Sequence, residues 1–432
     1  MCDVSSVTYH VWRIPERMNL RERFHEVLKF NTNVPSIKWE FGYWGATLDN
    51  WYRAGLPKKR YPELPDPNSP NKTPTSHLYA PAWTCVKQDT LPRGIAAMAG
   101  GLYWPTQGFP LDEDVKDYFK MDYTQTLVNV NLLFCPMFEP SVVREDERFY
   151  EYYDVDNVRR LFLKEEATIP TAIEYPIKDW KTWNTLKDER LNLNTIADRF
   201  PPNWKDLVET YKNRDFPLAL GGYPHGFFGT LVHLMGYEEL FVNYYYQPDL
   251  IHDIVSTFTD LWIAVYSEVL TYTDIDHVQI WEDISAGTGS MVSPKTIKEF
   301  MVPYYQKFTD FLKSQGVDLI FVDTDGDCFD IIPLFLEGGA TGMYPMEASC
   351  GMDIVKVRKH FPDLKMMGGI PKSEITKGKK RIDEILEPVE TVLKTGGYIP
   401  FGDHFIPPDV SWENFKYYRT KLNTIIDNVA KT

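Results

Sequence analysis

Residues 317–347 read VDLIFVDTDGDCFDIIPLFLEGGATGMYPME. A short apolar strand, Leu319-Ile320-Phe321-Val322, runs at once into Asp323-Thr324-Asp325-Gly326-Asp327. A helical segment near Ile331–Glu337 follows. A second short strand, Gly342-Met343-Tyr344, then opens into Pro345-Met346-Glu347. Strand, helix and strand in so short a span make a βαβ unit, whose two strands lie parallel.

The same rhythm extends in both directions. Upstream, Pro217–Gly222 reads as a strand, its helix includes Glu239–Tyr246, and a longer helix runs from Asp249 to about Tyr272. Val278-Gln279-Ile280-Trp281 is the next strand and Pro294–Gln315 the next helix. Downstream come a helix over Met352–His360, a strand over Leu364–Met367, a helix over Arg381–Lys394, the strand Gly397-Tyr398-Ile399-Pro400 and a closing helix, Trp412–Lys431. Near the N-terminus, residues 19–30 place Leu20, Phe24, Val27 and Leu28 on one helical face, and Ile37–Phe41 reads as a first strand. Alternating strands and helices predict a parallel sheet. The Gly-x-Gly-x-x-Gly fingerprint of a doubly wound dinucleotide fold follows none of these strands. The expectation is therefore an α/β fold, a (β/α)8 TIM barrel with an N-terminal decoration and an insertion at about 57–215, in one domain spanning 1–432. Within that insertion, 57–80 is rich in Pro, Asn and Ser and reads as a surface loop. Leu132-Leu133-Phe134 and Phe149–Tyr153 read as strand-like pieces of 125–175.

Composition narrows the function classes. A formal net charge of −15 repels phosphate backbones and anionic lipid, so neither nucleic acid nor a membrane is an expected partner. Arg159-Arg160 and Lys377-Gly378-Lys379-Lys380-Arg381 read as solvated charges. Five scattered cysteines contain no Cys-x-x-Cys pair, and no stretch approaches the roughly 20 apolar residues that span a bilayer. A cytoplasmic protein is expected.

Barrel enzymes carry their catalytic groups where the strands end. Here the strand ends offer Glu40, then Tyr223-Pro224-His225, then Glu282-Asp283, then Asp323 and Asp325, then Glu347, and last Asp403-His404. A single Asp in such a place is ordinarily an N-cap. Glu282-Asp283 together with Asp323 and Asp325 is too dense for capping alone, because clustered carboxylates near a packed core are costly unless paired, hydrated or metal-bound. His404 stands on the same rim, His225 occupies a strand-end turn, and His277 precedes a strand and reads as structural. Asp323-x-Asp325-Gly326-Asp327 is not an EF-hand loop, since its sixth place is Cys328 and its twelfth Leu334. Walker, Gly-x-Ser-x-Gly and His-Glu-x-x-His motifs are absent from the sequence.

Trp281-Glu282-Asp283, Ser293-Pro294, Val322-Asp323-Thr324-Asp325-Gly326, Tyr344-Pro345-Met346-Glu347 and Gly351-Met352-Asp353 form a recurring set. With them go Gly368-Gly369-Ile370-Pro371-Lys372, Gly397-Tyr398-Ile399-Pro400, Asp403-His404 and Pro407-Pro408-Asp409-Val410-Ser411. As a set, these motifs make residues 215–425 resemble the uroporphyrinogen-decarboxylase-like superfamily. Its decarboxylases carry an Arg-bearing motif after the first strand, where this chain has Trp39-Glu40-Phe41-Gly42-Tyr43-Trp44. Its other branch looks like cobalamin-dependent methyltransferases, which work with a corrinoid partner protein. The resemblance implies zinc at three places. Two fall on Asp323 and Asp325, where thiol-methylating relatives have His-x-Cys, and the third falls on His404, where they have Cys. Two carboxylates and an imidazole would suit zinc or a similar divalent ion acting on an oxygen-bearing substrate. The expectation is an O-demethylase component that moves a methyl group from a small methoxylated aromatic to cobalamin on a corrinoid protein. Glu282, Asp283 and Glu347 are the candidate catalytic acids, and Asp323, Asp325 and His404 the metal set. Glu40, Trp44, Tyr223, His225, Phe227 and Trp281 are the candidate substrate contacts. A homodimer is expected at the level of the family. A decarboxylase or other lyase, transfer from the corrinoid to another small acceptor, and a non-catalytic barrel that docks a corrinoid protein remain alternatives.

Overall fold

Seven short strands build the central sheet: Thr126–Leu127, Leu218–Gly221, His277–Trp281, Ile320–Asp323, Gly342–Tyr344, Lys365–Met367 and Tyr398–Ile399. Each pairs parallel with the next in chain order, so spatial order repeats sequence order and the sheet curls as a barrel wall. This computed structural model describes residues 18–59, 81–83, 112–122, 126–163 and 170–430. Most of the expected 57–80 loop lies outside the described residues.

The eighth place is taken by residues 36–44, whose Gly42–Trp44 strand forms its ladder with Pro81–Trp83, antiparallel and outside the central sheet. Ser36 donates its hydroxyl to the Tyr398 carbonyl (2.7 Å), and the Ile406 amide donates to the Gly42 carbonyl (2.9 Å). On the other side, Lys38 exchanges two bonds with Asp122, just before the Thr126–Leu127 strand. That strand lies inside the segment expected to be pure insertion, so residues 57–215 also carry one stave of the barrel. The added part is a four-stranded antiparallel sheet, Ser141–Glu145, Phe149–Tyr153, Arg159–Leu163 and Thr171–Glu174. Leu132-Leu133-Phe134, expected as a strand, is irregular.

Side-chain alternation assigns the layers. Phe321, Tyr344, Met367, Ile399 and Phe401 face the lumen, where Ile37 and Trp39 join them. Ile320, Val322, Val278, Ile280, Met343 and Met366 face outward into the layer beneath the helices. The Leu20–Leu28 helix is held by an Asn19–Glu22 capping box, and it closes the floor with buried Phe24, Val27 and Leu28. Each such side chain contributes roughly 1.5–3 kcal/mol by leaving water. Beside it, buried Asp276 receives Arg21, Arg214, His25 and the Leu218 amide at 2.6–3.1 Å.

Helix signals were mostly punctual. Ser293 caps the Pro294–Phe300 helix and Ser411 the Trp412–Val429 helix. The helix expected over 294–315 breaks at Met301 and restarts as Val302–Ser314, because Pro303 has no amide to give and its ring crowds the preceding turn. Among the described residues, no helix is long and apolar enough to cross a membrane.

Candidate active site

Asp323 lies two residues beyond Phe321 and shares its inward face, so its carboxyl stands at the upper edge of the lumen. Register pairs Asp323 with Trp281 on the neighbouring strand, which puts Trp281 inward as well. The chain then turns sharply at Asp283, whose φ of +45° lies in the left-handed region. Gly326, with φ +77°, lets the Asp325 loop pass against residues 285–286. A Cβ there would lie 2.5 Å from the Ser285 carbonyl oxygen. The Asp327 amide donates to the Ala286 carbonyl across the same contact (2.9 Å), so the two acid-bearing loops are one backbone unit.

The other acids arrive from the next strands. Glu347 accepts the Gly326 amide at 2.9 Å and faces the Lys372 ammonium at 3.3 Å. Asp403, fully buried, accepts the Lys372 amide (2.9 Å), the Lys372 ammonium (3.3 Å) and both the amide and hydroxyl of Ser349 (3.1 and 3.0 Å). His404 puts Nε2 3.4 Å from Asp325 Oδ2 and stacks on Phe41 with ring centres 4.8 Å apart. Phe405 meets His404 edge-on, and Trp44 meets Phe405 likewise, which extends an aromatic wall along the mouth.

Electrostatics follow from this crowding. Burial first, then the charges of Asp325 and Glu347, push Asp283 up to about 7. Burial and Glu347 push Asp325 up to about 7 as well, against the pull of Lys372. Asp323 is raised well above the carboxylate range by burial and by both of those neighbours, with a Tyr344 hydrogen bond pulling the other way. Burial would also raise Glu347, but the Gly326 amide and Lys372 hold it below its ordinary value. Burial, with Lys372 adding to it, brings His404 down to about 4, so its imidazole is neutral at pH 7.

Several expected site residues lie elsewhere. Glu282 is fully buried on the outward face, where Oε1 takes the Phe227 amide and the Tyr305 hydroxyl, and Oε2 takes the Phe228 and Gly229 amides. Those bonds anchor the start of the Gly229–Met235 helix and leave Glu282 no lone pair for chemistry at the mouth. Glu40 is likewise outward and buried. It accepts the Gly402 amide (2.5 Å), the Tyr418 hydroxyl (3.3 Å) and the Arg419 guanidinium (3.4 Å), tying the first stave to the last helix rather than touching a substrate. His225 and Phe227 are packed against Trp262 and Phe308, and burial takes His225 down to about 3; both are core residues. Tyr223 and Trp281 remain partly exposed and meet edge-on at 4.6 Å. Arg160, expected as a solvated charge, is buried and bound to Asp154 at 2.6 Å. Lys372 and Asp403 were missed as site residues, although both stand in the quoted strand-end motifs.

Asp323, Asp325 and His404 do not assemble as a zinc site. Among the described residues, no three His, Cys, Asp or Glu side chains converge as metal ligands do, and the Asp323 carboxyl is engaged by Tyr344. What the site offers is proton chemistry from carboxyls poised near neutrality.

The comparisons agree with this architecture. No curated protein matches the chain. A solved structure described as a methyltransferase from Methanosarcina mazei superposes with a TM-score of 0.53 at 14% identity, covering 95% of this chain and 99% of that one, a likeness of fold. The sequence model of the family described as Uroporphyrinogen decarboxylase (URO-D) matches residues 163–423, which takes in every strand end of the mouth from Tyr223 to His404. With more than half of its length matched, the chain belongs to the uroporphyrinogen decarboxylase family.

Proposed function

We propose that this protein is a methyltransferase that takes the methyl group of an aryl methyl ether, passes it to a corrinoid carried by a partner protein, and leaves a phenol. One observation carries the reading: Asp283 and Asp325, side by side at the barrel mouth, keep their protons up to about pH 7. Cleaving an aryl ether requires a phenolate to depart, and a proton delivered to its oxygen lowers that barrier. A positioned acid with a pKa near the working pH contributes typically 10²–10⁴-fold. A docked corrinoid supplies the nucleophile for the methyl carbon.

The chain's own residues do the rest. Asp325 gives the proton, and burial with the charge of Glu347 keeps its proton affinity high. Neutral His404, stacked on Phe41, holds Asp325 from one side. In this reading Trp281 and Tyr223, which meet edge-on, and Trp44, which meets Phe405, would flank the aromatic ring of the substrate. A polyanionic decarboxylase substrate fits poorly, because Lys372 and Arg160 are both already paired with carboxylates.

The test is an incubation with a reduced corrinoid protein and a panel of methoxyarenes, methylamines, methanol and methyl thiols. The absorption change of the methylated corrinoid is expected with methoxyarenes. Absence of transfer from every donor overturns the reading.

A further inference from the structure

The inserted sheet brings a second set of polar groups to the barrel mouth. Asp156, in the turn before the Arg159–Leu163 strand, accepts from His233 Nε2 at 2.9 Å. The other ring nitrogen of His233, Nδ1, lies 2.8 Å from the Tyr223 hydroxyl. Arg160 donates from Nη2 to the same hydroxyl at 3.1 Å, while its Nε holds Asp154 at 2.6 Å. Asp156 and His233 are buried, whereas Tyr223 is partly exposed beside Trp281. Carboxylate, imidazole and hydroxyl thus stand in line, each within hydrogen-bonding reach of the next, and only the hydroxyl end faces outward.

A network built solely to fasten the insertion would need no such order. Arg160 already ties the insertion to the barrel, holding Asp154 on one side and the Tyr223 hydroxyl and His233 Nδ1 (3.3 Å) on the other, without Asp156. The line instead follows the logic of a triad, in which a buried carboxylate fixes the imidazole's tautomer and steadies its charged form. The terminal group here is a phenol.

We propose that Asp156, His233 and Tyr223 form a proton relay by which the inserted sheet delivers a proton to an oxyanion of an aromatic ligand at the barrel mouth. In the charged relay, imidazolium Nδ1–H donates to the Tyr223 oxygen and the Tyr223 O–H points at the ligand. The ligand oxyanion takes the Tyr223 proton, forming its O–H bond. Tyr223 takes the Nδ1 proton in the same movement. Tyr223 ends as a neutral phenol, His233 as a neutral imidazole keeping Nε2–H, and Asp156 stays ionised. One proton leaves His233 and one arrives on the ligand.

The groups facing the relay are consistent with that traffic. Asp154 and Arg160 face Asp156; Arg160, Asp154 and Tyr152 face Tyr223. Burial pushes the Tyr223 phenol up to about 12, against the Arg160 charge, so Tyr223 passes a proton on without resting as a phenolate. Burial, then the charges of Asp283, Tyr175, Tyr223 and Asp325, raise the half-buried Tyr237 phenol, so Tyr237 lies within electrostatic reach of both the relay's Tyr223 and the acid pair. Tyr223 is the residue that touches the ligand; His233 and Asp156 act through it.

The relay deepens the methyl-transfer reading by naming a second proton source, but its test needs no corrinoid. The probe is 4-nitrophenolate, whose visible absorption is lost when its oxygen is protonated. The full-length wild-type protein, added in excess near neutral pH, where the free probe is still partly the coloured anion and an ordinary imidazole is still partly protonated, is expected to bleach the bound probe. Tyr223→Phe is expected to bind it without bleaching, and Asp156→Asn and His233→Gln to bleach it at least tenfold less. Circular dichroism and the melting temperature identify any variant that fails to fold, in which case wild type against Tyr223→Phe decides. A purely structural network would lower the melting temperature of the Asp156 and His233 variants without moving the bleaching contrast. Failure of wild type to bind or bleach the probe, or equal bleaching by Tyr223→Phe, overturns the relay. Neither result bears on whether methoxyarenes methylate a corrinoid.

Discussion

Both ends of this barrel gather aspartates, and they are treated in opposite ways. At the floor, burial alone would raise Asp276, but His25, Arg214, Arg21 and the Leu218 amide hold it well below the ordinary range. At the mouth, Asp283, Asp323 and Asp325 are all raised, by burial first and then by neighbouring carboxylates, Glu347 among them. The same side chain is thus a stabilising anion at one end and a proton store at the other. The difference is the supply of cations. Among the described residues, the floor gives one carboxylate two guanidiniums, and the mouth gives a cluster of carboxyls one ammonium, Lys372. A barrel tolerates that imbalance where chemistry uses it, because catalytic groups sit at the C-terminal face and stability is built at the other.

The largest break in the comparison should come from Asp276→Asn. It leaves Arg214 buried without its counter-charge and should cost about 3–5 kcal/mol in urea unfolding. Because the folded pKa of Asp276 is depressed, its contribution is full above about pH 4 and is lost as pH falls further, so wild type and variant should converge in acid. Next comes Asp325→Asn, which should lower methyl transfer at least about 100-fold, near 2.7 kcal/mol, with little change in melting temperature. An equal loss of stability would mean that Asp325 belongs with the floor type. The smallest effect has the opposite sign. The folded pKa of Asp283 is raised, so its ionisation opposes folding as pH climbs from about 4 through 7. Asp283→Asn should therefore stabilise the protein at pH 8, by no more than about 1–2 kcal/mol since the side chain keeps part of its hydration, and should change nothing at pH 4.

The barrel was legible in the sequence because strand and helix periods alternate cleanly after residue 217. The site was only partly legible, and the reason is parity. Counting carboxylates at strand ends treats Glu282 and Asp283 alike, yet they differ by one residue and face opposite sides of the wall. Glu282 keeps step with Val278 and Ile280, which face the helices. Trp281 keeps step with Gln279, whose partner Phe321 faces the lumen. The same rule separates Glu40 from Ile37 and Trp39. Period-two alternation was present in those strands and would have moved both glutamates out of the site. The relay was not legible at all. Asp156 and Arg160 reach Tyr223 and His233 across more than sixty residues, and nothing local in 141–174 announces that contact. Arg160 looked like a solvated charge for the same reason.

The stave formed by residues 36–44 has a consequence for the chain's birth. Ser36 waits for Tyr398, 362 residues downstream, before it has a neighbour on that side. At ribosomal speeds of about 5–20 residues per second, the wait lasts roughly 20–70 s. Throughout it, Ile37, Trp39 and Phe41 have no completed lumen to enter. The first wall segment to be synthesised is the last to be enclosed, so a nascent chain exposes an aromatic edge for most of its synthesis. That edge is where a chaperone would be needed most, and where truncation from the C-terminus should turn a barrel into an aggregate.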